Sequence, residues 1–283
     1  MKNTKTQLLQ IIQKNAAEEH TEWLQSKIIK IVTETSTKDL YLTYSLIASK
    51  FKLGDSLELN IDAVELQSYL ELQKANLQQI ARIYLLTSVL ESNPEFFKDK
   101  VANIIQVADT GELETFLKFL VLLPNAEDFK FVAVDALRTN IATVFDAIYV
   151  HNPYPALYFD DQQWNQMFLK AAFMDRDLTM FHSIDSKANK DLARIISDYA
   201  HERWAAGRAI NPYFWRPVSN YIEGVLADDM QRLLKSKNKE ENKAAALCCY
   251  NSNKVEAQKM LEQYPSLLQQ LKENKLTWDT LKD

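Results

Sequence analysis

Apolar residues recur at intervals of three and four along most of the chain. Ile80, Ile83 and Tyr84 form one such series, and Phe116 and Leu120 belong to another. This spacing places the apolar side chains on one face of an α-helix. No run of Val, Ile or Thr alternates with polar residues over the length that a strand needs. The pattern predicts an all-α protein with helices of about 10–18 residues.

Polar residues that can cap a helix indicate where these helices begin. Asn93 precedes Pro94 and Asn211 precedes Pro212, which places a capping side chain before a proline of the first turn. Further caps, each paired with a residue three positions later, are predicted at Ser36, Asn125, Asp160 and Asn253. The segment 151–159 (HNPYPALYF) is the least helical, because two prolines are expected to force an extended path.

Similar apolar segments follow one another at the spacing of a helical repeat. Segments 81–90 and 115–124 lie about one solenoid repeat apart, and a second helix is predicted after each, near 94–107 and 126–138. Short links favour antiparallel pairs. We predict irregular antiparallel helix pairs in a HEAT/armadillo-like α-solenoid, with a compact helical bundle as the alternative. Linker composition marks no boundary, so we expect a single all-α domain over residues 1–283.

Composition supports this fold class and limits the location and partners. The 283 residues include four glycines, against roughly 20 at average usage. Because glycine serves positive-φ turns and phosphate loops, a barrel, Rossmann fold or β-sandwich is disfavoured.

A net charge of −5 without a basic run argues against nucleic acid as a partner. The chain lacks the ~20 apolar residues of a membrane span. Adjacent Cys248 and Cys249 fit reduced thiols in the cytoplasm.

Rare residue types concentrate between Tyr149 and Arg216. This segment holds three of the four His, five of the eight Arg and three of the five Trp residues. Arginine is favoured over lysine where a planar, bidentate cation is needed. The segment therefore contains either a structured polar core or a binding surface.

A helical wheel of residues 190–208 separates two faces. Leu192, Ile196 and Tyr199 lie on the apolar stripe, and Arg203 falls in its middle. Arg203 is accordingly predicted to be mostly buried, either joining the helix to carbonyls or an acid, or lining a polar pocket. The opposite side carries the mixed-charge set Arg194, Asp198, His201, Ala205 and Arg208. Trp204 lies between the faces, where it would supply an aromatic anchor to a recognition surface.

Known catalytic and metal-binding motifs are incomplete in this sequence. His201-Glu202 begins a zincin motif, but Ala205 stands where the second His is needed. Neither a Gly-x-Ser-x-Gly motif nor a phosphate loop is present. We therefore predict no catalytic residue, no metal and no cofactor.

Residues 164–173 form a helix with an amide at the edge of its apolar stripe. Trp164, Met167 and Phe168 make the stripe, and Asn165 borders it. A buried amide beside an irregular segment often bonds that segment's backbone. We therefore predict that Asn165 meets the loop 151–155 and Asn140.

Several long motifs in this region resemble one known family. They are ALRTN (136–140), VFDAI (144–148), NPYP (152–155), WNQM (164–167), DYAHERWAAGR (198–208) and WR (215–216). Together they resemble the EboA family, closely over about 136–216 and more loosely elsewhere. The chain departs from the family pattern at SID (183–185) and SNY (219–221), where Gly-Leu-Asp and a Gly-Pro pair are expected.

The resemblance implies a role but assigns no chemistry to a residue. The family is named for a gene cluster associated with moving metabolites or their precursors out of the cytoplasm. We expect a non-catalytic accessory or adaptor protein that binds proteins encoded in the same cluster. It would be cytoplasmic, or peripheral to the inner membrane through a partner. The alternative is an enzyme or a protein that binds a small metabolite. The candidate binding residues are Asn140, Asn152, Tyr154, Trp164, Asn165, Lys170, Asp198, His201, Glu202, Arg203, Trp204, Arg208, Trp215 and Arg216.

Overall fold

The computed structural model describes residues 3–52 and 57–282, and this part of the chain contains helices and no strand. The α-helices are α1 (Thr4–Asn15), α2 (Glu18–Glu34), α3 (Thr37–Lys50), α4 (Val64–Leu72), α5 (Leu77–Ser92), α6 (Pro94–Ala102), α7 (Ile104–Val107), α8 (Thr110–Phe119), α9 (Lys130–Ala136), α10 (Ala142–Tyr149), α11 (Tyr154–Tyr158), α12 (Asp161–Phe173), α13 (Ile184–Lys187), α14 (Lys190–Ala205), α15 (Val225–Leu234), α16 (Lys239–Tyr250), α17 (Val255–Glu262) and α18 (Pro265–Lys272). Short 3-10 helices cover Leu120–Leu122, Ala126–Phe129, Leu178–Met180, Pro212–Tyr221 and Thr280–Lys282. The predicted all-α class is confirmed.

The chain divides into two compact units, Met1–Phe159 and Asp160–Asp283. In the first unit, α5 is central: it contacts α1, α2, α3 and α8, and it is buried along most of its length. Its sequence is apolar on nearly every side, as a buried helix requires. The single domain over 1–283 and its solenoid arrangement stay predictions.

The second unit is built around α16. This helix contacts the 3-10 helix Pro212–Tyr221 as well as α15, α17 and α18. Its central residues 244–249 (AAALCC) are all buried. Small side chains at this position let neighbouring helices approach closely, which explains how one helix serves several partners.

Most predicted caps are present. Side chains of Ser36, Asn93, Asp160 and Asn211 accept hydrogen bonds from backbone N–H groups of the following turn. Two predictions were wrong. Asn125 adopts the left-handed conformation (φ 50°) before a 3-10 helix, and within the described residues its side chain makes no capping hydrogen bond to that helix. Helix α17 begins at Val255, so Lys254 rather than Asn253 occupies its cap position.

The segment 151–159 is not extended as predicted. It contains α11, with Pro153 just before the first helical residue and Pro155 inside the first turn. Proline is tolerated there because the first-turn N–H groups have no partner within the helix. The predicted second helices are also interrupted: α6 and α7 divide 94–107, and a 3-10 helix precedes α9 within 126–138.

An arginine is buried in this fold, but it is Arg82 of α5. Its side chain and that of Glu112 are about 5% exposed. Arg82 Nη2 lies 3.6 Å from Glu112 Oε1, and Arg82 Nε donates to the carbonyl of Tyr44 at 3.2 Å. The Glu112 carboxylate also accepts the Asp109 N–H of the α8 capping box. This buried ion pair of the first unit was not predicted from the sequence.

Candidate functional site

The motif DYAHERWAAGR spans the end of α14 and the turn that follows. Residues 198–205 complete the helix, and Gly207 adopts φ 65° directly after it. The N–H groups of Gly207 and Arg208 then bond the carbonyls of Trp204 and Arg203 at 3.0 and 2.9 Å. A glycine is favoured at this position because the left-handed conformation is strained for other residues. One of the four glycines therefore terminates the motif helix.

His201 is anchored to a carboxylate that the sequence did not indicate. Its Nε2 lies 2.6 Å from Oδ1 of Asp229, which α15 contributes. Ser197 Oγ donates to Asp229 Oδ2 at 2.5 Å. Asp229 is 3% exposed, whereas the His201 side chain is 51% exposed. The carboxylate therefore lies between Ser and His, unlike a catalytic triad, in which the histidine contacts the serine.

Trp204 forms the centre of a surface layer of rings. It stacks on buried Trp215 with a centroid distance of 5.7 Å, and its ring centroid is 5.5 Å from that of His201. The guanidinium carbon of Arg232 lies 4.0 Å from the centroid of the Trp204 ring, within cation–π range. We name His201, Trp204 and Arg232 the aromatic platform. Buried Asp229 and Trp215 hold it from below.

Arg203 does not occupy a buried position as predicted. It is half-buried, and its Nε and Nη2 donate to the carbonyl of Ala209 at 3.1 and 2.7 Å. Its guanidinium carbon is also 6.0 Å from the centroid of the Tyr199 ring. The side chain lies near the end of the helix, where fewer elements cover it. The predicted carbonyl pairing is present, but it joins the helix to its own following turn.

The remaining charged residues of the motif face outward. Asp198 pairs with Arg194 one turn earlier, at 2.8 Å between Oδ2 and Nη1. Glu202 and Arg208 are both exposed. The mixed-charge side of the wheel is thus a solvent face, apart from the bond between His201 and Asp229.

Arg216 belongs to a second polar cluster. It donates from Nε and Nη2 to both carboxylate oxygens of Asp185 at 2.8 and 2.7 Å, and Nη1 donates to the Tyr213 hydroxyl. Burial disfavours its charge, but these bonds outweigh that effect and the pKa of Arg216 is raised. A pocket of about 300 Å³ lies beside it, bordered also by Asn251 and Trp278.

The Asn165 amide has a different partner from the predicted loop. It exchanges two hydrogen bonds with the Asn189 amide, at 3.1 and 2.8 Å. Asn189 is the cap residue of α14, so this pair connects α12 to the start of α14. The prediction that Asn165 bonds the 151–155 backbone was wrong. The apolar spacing of a single helix predicts that the Asn165 amide is buried. It cannot show that the Asn189 amide faces it.

A cleft of about 750 Å³ lies between α12 and α14. We name it the α12–α14 cleft. Asn165 and Lys170 are the two predicted site residues among its lining. The full lining is Asp161, Gln162, Asn165, Gln166, Leu169, Lys170, Phe173, Asp191, Arg194 and Ile195.

Most of the other predicted site residues are buried and contribute to the fold. Asn152 is buried and bonds the carbonyls of Leu117 and Ala147 at 3.2 and 3.0 Å. The hydroxyl of buried Tyr154 donates to the Ala126 carbonyl at 2.7 Å. Trp164 and Trp215 are fully buried, whereas Asn140 is exposed.

Asp229, Ser197 and Arg232 were missed by sequence reasoning. Asp229 had a detectable signal, since it stands on the face of α15 that buries Leu226, Met230 and Leu233. A carboxylate on a core face requires a partner. Its partners, Ser197 and His201, lie on α14. Nothing in the sequence shows that α14 and α15 pack side by side.

The chemistry available at the two cysteines is limited by burial. Burial raises the pKa of the Cys249 thiol to about 12, and that of the Cys248 thiol well above its usual range. Thiolate, the nucleophilic form, is therefore scarce at neutral pH.

Within residues 3–52 and 57–282, no group of three or more His, Cys, Asp or Glu side chains is placed to hold a metal ion. No helix in the same ranges has the length and apolar character to cross a membrane.

Comparison with known proteins gives one family match. A family model described as metabolite traffic protein EboA matches residues 4–219, which is more than half of the chain. No curated protein and no solved structure matches. The matched region includes α14 with its aromatic residues, and all the lining residues of the α12–α14 cleft lie within it as well.

Proposed function

The chain belongs to the EboA family of metabolite traffic proteins, and we propose that it acts in this traffic as a non-catalytic adaptor. Its partners are proteins encoded in the same gene cluster. The adaptor works in the cytoplasm and reaches the membrane only through such a partner.

The aromatic platform is the observation that supports this proposal. Trp and Arg are the residue types that contribute most to protein interfaces, and both are present here at the surface. Trp204 stacks on buried Trp215, and His201 is bonded to buried Asp229. A surface held in this way loses little conformational entropy on binding, which favours affinity.

The bonding of the polar groups supports a non-catalytic role. Ser197 donates to Asp229 instead of His201, so it lacks the contact through which a histidine activates a serine. Arg216 is held by both oxygens of Asp185. The polar groups of these side chains therefore bond one another within the protein. The rings of the aromatic platform remain as the contact surface.

A pull-down with the proteins encoded beside this one tests the proposal. The double variant Arg208→Glu/Arg232→Glu reverses two exposed charges, the first in the turn that follows α14 and the second on α15. Capture of the partner should be lost while the melting temperature is retained. The matched control is Arg138→Glu, an exposed arginine in the first unit, which should capture the partner normally. Equal capture by all variants would overturn the platform as the contact surface.

Metabolite binding is a second candidate function, and the α12–α14 cleft supports it. Its volume of about 750 Å³ falls within the range of small-molecule sites, roughly 300–1,000 Å³. A thermal-shift screen of metabolites tests this function. Stabilisation by a compound should disappear when Gln166 and Leu169 are replaced by bulky tryptophans that fill the cleft.

A further inference from the structure

We propose that the α12–α14 cleft binds an amphiphilic organic anion, with a carboxylate or phosphate head and an apolar chain. The inference rests on metabolite binding as the second candidate function and adds the class of ligand. It is carried by the shape of the cleft, the order of its lining residues and its charges.

Two contacts connect the helices that line the cleft. Asn165 bonds Asn189 at one end, and the Phe173 ring contacts Tyr199 at the other, with centroids 5.0 Å apart. Because the contacts occur in the same order along both helices, α12 and α14 run in the same direction. The two contact points on α12 are eight residues apart, or about 12 Å. The space suits an elongated small molecule.

Apolar side chains occupy the end of the cleft near Tyr199. Leu169, Phe173 and Ile195 line this end. Phe173 is 67% exposed, an unusual exposure for a phenylalanine. A ligand chain laid along these residues would remove apolar surface from water, which favours binding.

Two cations border this apolar end. Lys170 and Arg194 directly adjoin Leu169 and Ile195 in the sequence, and both line the cleft. Burial lowers the pKa of Lys170, so a bound anion would stabilise its charged form. Arg194 pairs with Asp198 at the surface, where both side chains are more than 60% exposed. Such an exposed pair is weak and can be replaced by the acid group of a ligand.

The acidic residues of the cleft orient the ligand. Asp161 and Asp191 lie in the first turns of α12 and α14, at the end that holds Asn165. They repel an anion from that end. The head group therefore lies beside Lys170 and Arg194, with the apolar chain directed towards Phe173.

Calorimetric titration with four ten-carbon probes tests this inference. Decanoate and decyl phosphate should bind, and decan-1-ol should bind at least about tenfold more weakly, which corresponds to ~1.4 kcal/mol. Decylamine should bind no better than the alcohol. The double variant Lys170→Gln/Arg194→Gln should weaken binding of both anions to the level of the alcohol. Arg138→Gln, which also removes one exposed arginine from an ion pair with a nearby carboxylate, should leave binding unchanged.

A second variant separates the chain from the head group. Phe173→Ser changes a residue that is 67% exposed and should weaken decanoate binding by about fivefold to tenfold. Loss of the ring contact with Tyr199 should lower the melting temperature only slightly. If the alcohol binds as tightly as the acids, the anion preference is overturned while metabolite binding in the cleft stands. Anion binding that survives both variants would place the ligand elsewhere and overturn the inference. If neither these probes nor any metabolite of the screen binds, the second candidate function fails as well.

Discussion

Removing the charge of Glu112 should destabilise the protein far more than removing Arg203. The change Glu112→Gln keeps an oxygen that can accept the Asp109 N–H, so the α8 capping box is retained. What it removes is the carboxylate charge beside Arg82. The guanidinium of Arg82 would then remain in the core with the Tyr44 carbonyl as its main partner.

The expected magnitude follows from the burial of the pair. Arg82 and Glu112 are 5% and 4% exposed, so water cannot replace the lost partner. Breaking a buried ion pair from one side costs about 3–5 kcal/mol. Arg203 is half-buried and donates to a single carbonyl, that of Ala209. Its replacement by methionine should cost only about 1 kcal/mol, since solvent satisfies the freed carbonyl.

Urea unfolding followed by circular dichroism measures these differences by linear extrapolation. The variants are Glu112→Gln, Arg82→Met, their combination and Arg203→Met. The double variant removes both buried charges, so its cost should be well below the sum of the two single costs. A loss below about 1 kcal/mol for both single variants of the pair would refute the reasoning. A larger loss for Arg203→Met than for Glu112→Gln would refute it as well.

Three further predictions concern the amide pair, the thiols and the domain organisation. Asn165→Leu should cost about 1–3 kcal/mol, because it leaves the Asn189 amide without its reciprocal partner; an unchanged denaturation midpoint would contradict this. A water-soluble disulfide reagent should not modify Cys248 or Cys249 in the folded protein at neutral pH, because both are buried and the pKa of Cys249 is about 12; both should react after addition of denaturant. If residues 1–283 form one domain, calorimetry should give one cooperative transition, and two resolved transitions would show that the units unfold independently.

Local structure could be predicted from the sequence because its causes are local. Apolar spacing, the scarcity of glycine and capping side chains such as Ser36 and Asp160 act over a few residues. They fixed the helix class and several helix starts. The long EboA-like motifs likewise identified the family, which the match over residues 4–219 confirms. The same local rules failed where two effects competed, as at the prolines of α11.

The candidate sites depended on contacts that only the tertiary structure establishes. A helical wheel assigns a face to Arg203, but it does not show that the end of α14 lies where few elements cover it. It also cannot show that α8 supplies a carboxylate to Arg82 in the middle of α5. The bond between His201 and Asp229 joins residues of two helices, and so does the pair of Asn165 and Asn189. Burial and pairing of polar groups depend on how helices pack, and packing is set by the combined shapes of many side chains rather than by the period of any one helix.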